Sequence, residues 1–135
     1  MTYTSAQKEV LCSMTQNRRF PIVRFELHRE GQPDLCSIAL NYVRIEALAD
    51  SMELVKERGE ALRTLMEQGV VYIDYTARAW VQGDYDVYYR SKLYEELCHM
   101  VMESSKDPAA VFNLPYMRKG YASFTPSFLA SLPRP

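Results

Sequence analysis

"ALRTLMEQGVVYID", residues 61–74, holds the transition on which the fold turns. Leu62, Leu65 and Met66 recur at helical spacing, Gly69 stands where a helix C-terminus is commonly closed, and the β-branched and aromatic run after it reads as a strand. Upstream, Leu54 and Ala61 extend the apolar stripe, with Glu53, Lys56, Glu57, Glu60, Arg63 and Glu67 opposite it, so the spacing predicts one amphipathic helix from Ser51 to Gln68. Arg58 and Gly59 interrupt that stripe. A glycine inside a helix costs about 1 kcal/mol relative to alanine, so Gly59 marks either a close helix contact or a break between two shorter helices.

Working outward from this unit, Thr4 and Gln7 have the spacing of a capping box, and Ala6, Val10 and Met14 follow at helical spacing, which predicts a first helix over Ser5 to Gln16. Pro21 biases Phe20 out of the helical region. Val23, Phe25 and Leu27 then alternate with Arg24, Glu26 and His28, the period-two signature of a half-buried strand, and "REGQPD" reads as a turn. The stretch 35–50 fits two patterns: Cys36, Ile38, Leu40 and Tyr42 as a returning strand, or Leu35, Ile38, Tyr42 and Ile45 as a helix. The reading adopted is a strand that gives way to helix near Val43. Beyond residue 74, Ser91 caps a helix through Ser104 that buries Leu93, Leu97, Met100 and Val101. Asp107 and Pro108 open a short helical turn over "AAVF", and "RKG", 118–120, turns the chain into a last strand, "YASFTP", before an apolar tail.

A chain of 135 residues with 47% hydrophobic and 24% charged residues is sized and composed for one folded domain. Its formal charge of -1 lacks the basic excess that accompanies strong phosphate-backbone binding. Three cysteines, Cys12, Cys36 and Cys98, are widely spaced and form no CxxC pair, which argues against a disulfide framework or zinc site and for a reducing, cytoplasmic setting with buried structural thiols. No run approaches the roughly 20 apolar residues of a membrane span.

The order helix, glycine, strand, insertion, strand resembles winged helix-turn-helix domains. Leu62, Leu65, Gly69, Val70 and Val71 match the end of the third helix and first wing strand of that superfamily, and Phe124, Thr125 and Pro126 match the close of its second wing strand. The resemblance implies an α+β, winged-helix-like fold: helices with a small antiparallel sheet, and a helical insertion, residues 77–119, between the wing strands. It also implies a homodimeric transcriptional regulator that binds double-stranded DNA by setting a recognition helix in the major groove. The chain departs from the superfamily in the length of that insertion and in the strand-like stretches before Ser51.

DNA contact on this reading falls to Lys56, Arg58 and Arg63 on the helix, Arg78 in the insertion, and Arg118 and Lys119 before the last strand. The glutamates sharing the helix oppose it: Lys56 with Glu60 and Arg63 with Glu67 have the i,i+4 spacing of ordinary surface ion pairs. Residues 70–90 gather five tyrosines and the single tryptophan among net acidic charges, a composition suited to packing and subunit contact rather than base stacking. Tyr75, Trp80, Tyr85, Tyr88 and Tyr89 are therefore expected at a dimer or partner interface, and an interaction module using them is the alternative reading. Glu96 and His99 have Glu-x-x-His spacing, but a di-iron bundle needs that motif twice and two further glutamates. Cys98 and His99 are neighbours on a helix and point about 100° apart. With no glycine-rich phosphate loop, GxSxG elbow or HExxH motif, neither catalysis nor a cofactor is expected.

Overall fold

The computed structural model describes residues 2–76 and 80–133. The chain opens with helix α1 (Ser5–Gln16), where the Thr4 hydroxyl accepts the Gln7 N–H and the Gln7 side chain accepts the Thr4 N–H. A long hairpin, β1 (Phe20–Arg29) and β2 (Gln32–Val43), follows through a turn at Gly31, whose φ of +80° favours glycine. Helix α2 (Met52–Glu67) is capped by the Ser51 hydroxyl, and Gly69, at φ +76°, turns it into β3 (Val71–Asp74). A 3-10 turn (Gln82–Tyr85) and the one-turn helix α3 (Asp86–Tyr89) lead to α4 (Lys92–Ser104), capped by Ser91. β4 (Leu114–Phe124) and the short α5 (Pro126–Ser131) close the fold.

The four strands form one antiparallel sheet in the order β2-β1-β4-β3. The two strands expected from residues 70–76 and 121–126 do pair, Val71 with Phe124 through Asp74 with Tyr121, although the second ends at Phe124 and Thr125 and Pro126 open α5. β4, however, reaches back to Leu114 and pairs with β1 along most of its length. "RKG" is thus interior strand rather than a turn, and the last residues of the expected insertion belong to the central sheet. Asp107 holds only a turn, its carboxylate accepting the Ala109 N–H, and no helix forms over "AAVF". β2 runs to Val43 without passing into helix; Asp50 instead organises the loop before α2 by accepting the N–H groups of Glu46 and Ala47.

Each face of the sheet has its own core. Val23, Phe25 and Met117 face α3 and α4 and pack with Tyr85, Tyr88, Leu93 and Leu97. Phe20, Ile22 and Ala122 face the other way, onto Val10 and Met14 of α1 and Leu62 and Leu65 of α2. The α2 stripe is led by Val55 rather than Leu54, so Val55, Gly59, Leu62 and Met66 follow helical spacing without a break. Gly59 marks close contact: a Cβ there would lie 3.0 Å from the Tyr42 carbonyl oxygen and 3.3 Å from that of Asn41. The cysteines are not core residues, since Cys12 and Cys36 are exposed and Cys98 is half-buried. Met100, expected on the buried stripe of α4, is 60% exposed.

Among the described residues no helix is long and apolar enough to cross a membrane.

Candidate functional site

Alternation along β1 places Arg24, Glu26 and His28 on the same face as Phe20 and Ile22, beyond the area that α1 and α2 cover. Register adds their neighbours: Arg24 lies opposite Arg118, Glu26 is flanked by Tyr116 and Ile38, and His28 by Leu114 and Cys36. This half of the sheet face is polar at its centre and carries exposed Tyr116, Ile38 and Leu114 around it.

Glu26 organises the centre. It is 1% exposed, the only buried acidic side chain among the described residues. Arg118 Nε and Nη2 donate to its two oxygens at 2.6 and 3.1 Å, Arg24 Nε donates at 2.7 Å, and His28 Nε2 lies 2.7 Å from Oε1. Burial by itself would raise the carboxyl pKa; the hydrogen bonds from Arg118, His28 and Arg24 together outweigh it and lower the pKa from 4.5 to about 2. Two permanent cations opposed across neighbouring strands repel one another. One shared carboxylate fixes both guanidiniums without cancelling both charges, and each arginine side chain stays partly open to solvent.

Tyr75 forms the boundary between this polar half and the α1–α2 core. Its ring lies across Gly120, where a Cβ would come within 2.7 Å of Cδ1 and 2.6 Å of the Asp74 carbonyl oxygen. Its hydroxyl reaches β2, donating to Asn41 Oδ1 at 2.9 Å and accepting from the Tyr42 N–H at 3.2 Å. Tyr42 holds a φ of +55° there, in a stretch of β2 with extra residues in its register against β1. Burial raises the Tyr75 pKa well above the ordinary phenol range. The Arg24 guanidinium stands 5.0 Å above the Tyr75 ring, and that of Arg118 5.3 Å from the Tyr116 ring.

Beside this cluster, past the end of β3, a cleft of about 470 Å³ follows β4 and is lined by Tyr75, Thr76, Trp80, Tyr116, Arg118 and Lys119. Lys119 Nζ lies 5.2 Å from the ring centres of both Trp80 and Tyr89. Trp80 is 46% and Tyr116 42% exposed, so aromatic faces and cations alternate around one opening.

The expected site residues therefore divide. Arg118, Lys119, Tyr75, Trp80 and Tyr89 come together, although they were assigned to two different roles. Arg78 lies outside the described residues. The α2 cations stand apart from the cluster. Arg63 is clamped by Glu60 and Glu67. Arg58 turns inward, donating to Asp50 at 2.6 Å and to the Arg44 carbonyl at 3.0 Å, so its guanidinium fastens the loop before α2 rather than facing outward. Lys56 remains exposed on the same helix as four glutamates. Tyr85 and Tyr88 require correction as interface residues. Both are 0% exposed, with hydroxyls donating to the carbonyls of Gly120 at 2.7 Å and Pro21 at 2.6 Å, and their area is already spent on the core of the chain itself. On α4, Glu96 pairs with Lys92 and His99 with Glu95, and no cluster of three metal-ligating side chains occurs among the described residues.

Arg24, Glu26, His28 and Tyr116 were missed as site residues. The alternation of β1 marked the first three as one face, but Glu26 and Arg118 are separated by 92 positions, and no local pattern joins them.

Comparison of the chain with protein-family models, with curated proteins and with solved structures gives no match.

Proposed function

We propose that this protein is a non-catalytic nucleic-acid-binding protein that holds a single strand on the open half of its sheet. Phosphates meet Arg24 and Arg118 on that face and Lys119 in the cleft along the adjoining β4 edge, and bases stack on Tyr116 and Trp80. The observation that carries this reading is the pair Arg24 and Arg118, opposed across β1 and β4 and fixed by buried Glu26, beside exposed aromatic rings. Single-strand binders combine a cationic groove with aromatic stacking surfaces, and stacking is worth about 1–3 kcal/mol per base. The chain's overall charge of -1 gives no support by itself, but binding follows the local field, and here two arginines share one carboxylate with Lys119 in the adjoining cleft.

A duplex-binding regulator using α2 as a recognition helix is less well supported. The pairing of β3 with β4 agrees with two wing strands, yet α1 and α2 are separated by the β1–β2 hairpin and the α2 cations are paired with, or outnumbered by, its glutamates. One titration separates the two: quenching of Trp80 fluorescence by a single-stranded oligonucleotide and by the matching duplex. Tighter binding of the single strand, weakened by Arg118→Ala and Tyr116→Ala and unchanged by Arg63→Ala, is the expected outcome. Preference for duplex, or indifference to Arg118→Ala, would sink the sheet-face reading.

A further inference from the structure

β4 outruns the strand on its outer side. β3 pairs with it from Tyr121 to Phe124 and stops at Asp74, so among the described residues the stretch from Leu114 to Gly120 pairs with β1 alone. In an antiparallel ladder each residue turns its N–H and C=O to one side, and successive residues alternate. The Thr125 N–H donates to the Val70 carbonyl, which sets the odd-numbered residues of β4 toward β3, and one constant register runs from Phe124 back to Leu114. The main-chain groups of Met117 and Lys119 therefore point out of the sheet into the cleft, in line with the end of β3, and have no partner among the described residues. A row of donors and acceptors at strand spacing is complementary to another extended main chain.

The side chains beside this edge set the composition of what pairs with it. Tyr116 and Arg118 lie on one face of the sheet, Met117 and Lys119 on the other. Arg118 commits Nε and Nη2 to Glu26, stays 36% exposed, and makes no hydrogen bond through Nη1 among the described residues. Lys119 Nζ rests against the Trp80 and Tyr89 rings, with no carboxylate at ion-pair distance among the described residues. The nearby acids are engaged elsewhere: Asp84 with Arg19 and the Tyr121 hydroxyl, Asp74 with the N–H and hydroxyl of Thr76. A strand entering here meets one cation on each of its faces.

We propose that the free edge of β4 takes an extended acidic segment of a partner protein as an added antiparallel strand. Continuing the direction of β3, the segment runs from Lys119 toward Tyr116. Cross-strand pairing then assigns its successive residues: acidic opposite Lys119, acidic opposite Arg118, apolar opposite Met117, aromatic opposite Tyr116. Strand addition uses main-chain groups that the nucleic-acid reading leaves idle, and so stands apart from it. Both ligands draw on Arg118, Lys119 and Tyr116, so the added strand also displaces the nucleic acid, a consequence that rests on that reading.

The test is fluorescence anisotropy of the full chain with a labelled peptide carrying Asp-Glu-Leu-Phe between short threonine flanks. The N–H groups of its aspartate and leucine face β4, so methylating either nitrogen should weaken binding about tenfold, the loss of one hydrogen bond. Methylating the glutamate or phenylalanine nitrogen, which points away from the sheet, should change it by about twofold at most. Lys119→Glu, with far-UV circular dichroism confirming the fold, should weaken binding of this peptide, and lysine in place of its aspartate should restore it. No binding, or equal loss at all methylation sites, overturns the proposal. So does a wild-type dimer in sedimentation that Lys119→Glu dissolves, since a second copy would then fill the edge. A peptide that follows the methylation pattern without displacing a single-stranded oligonucleotide supports the added strand and counts against the nucleic-acid assignment of the cleft.

Discussion

Replacing Glu26 by glutamine removes the charge that fixes both arginines while keeping the side-chain shape. The size of the effect follows from the pKa. A carboxyl held at 4.5 in the unfolded chain and at about 2 in the folded one contributes about 3 kcal/mol at neutral pH, at 1.36 kcal/mol per pKa unit. Because the folded pKa is depressed, that contribution is fully present above the unfolded value and fades as pH falls from about 4.5 toward 2. Less than about 1 kcal/mol of it survives at pH 2.5. The glutamine oxygen still accepts a hydrogen bond from one arginine, so Glu26→Gln should cost about 2–3 kcal/mol at pH 7 and converge on the wild type in acid. Urea unfolding of both proteins by circular dichroism, repeated from pH 7 to pH 2.5, measures the difference directly. Two parallel stability profiles, or a cost below about 0.5 kcal/mol at pH 7, would show that the carboxylate does not organise the cluster.

Other substitutions probe the supports of the site. Gly120→Ala places a methyl 2.6 Å from the Asp74 carbonyl oxygen, a backbone atom that moves only if β3 does, so about 1–3 kcal/mol of overpacking should appear in the urea midpoint. Tyr75→Phe removes the hydroxyl shared by Asn41 Oδ1 and the Tyr42 N–H and should cost about 1–2 kcal/mol with the far-UV spectrum unchanged. Tyr88→Ala should cost about 3–5 kcal/mol as a core truncation, whereas Trp80→Ala at a half-exposed site should stay within about 1 kcal/mol. The reverse order in thermal melts would restore the tyrosine to the surface role first expected of it.

The helices were legible because their start signals are local. Thr4 with Gln7, Ser51 and Ser91 each cap the helix their spacing announced, and the capping hydrogen bonds involve residues three apart. The extent of β4 was obscured by chemistry that reads as a loop: Arg118, Lys119 and Gly120 resemble a turn, but Arg118 is bound to Glu26 and Gly120 is small so that Tyr75 can cross it. The path of 35–50 was ambiguous because β2 is irregular, with a left-handed residue at Tyr42 and register shifts that blur period-two alternation. The tyrosines misled because a phenol hydroxyl can be satisfied by a distant carbonyl, as Tyr85 is by Gly120, and burial then follows from tertiary contacts absent from the local sequence.

The salt dependence of binding to a labelled single strand of about 12 nucleotides tests the sheet-face account most directly. Arg24, Arg118 and Lys119 as three phosphate contacts predict that log K falls with log salt at a slope of about -2, from -0.7 per contact, and that Arg118→Ala brings it to about -1.4 with weaker binding at every salt concentration. Binding that ignores salt, or a slope that Arg118→Ala leaves unchanged, would contradict the assignment of this face.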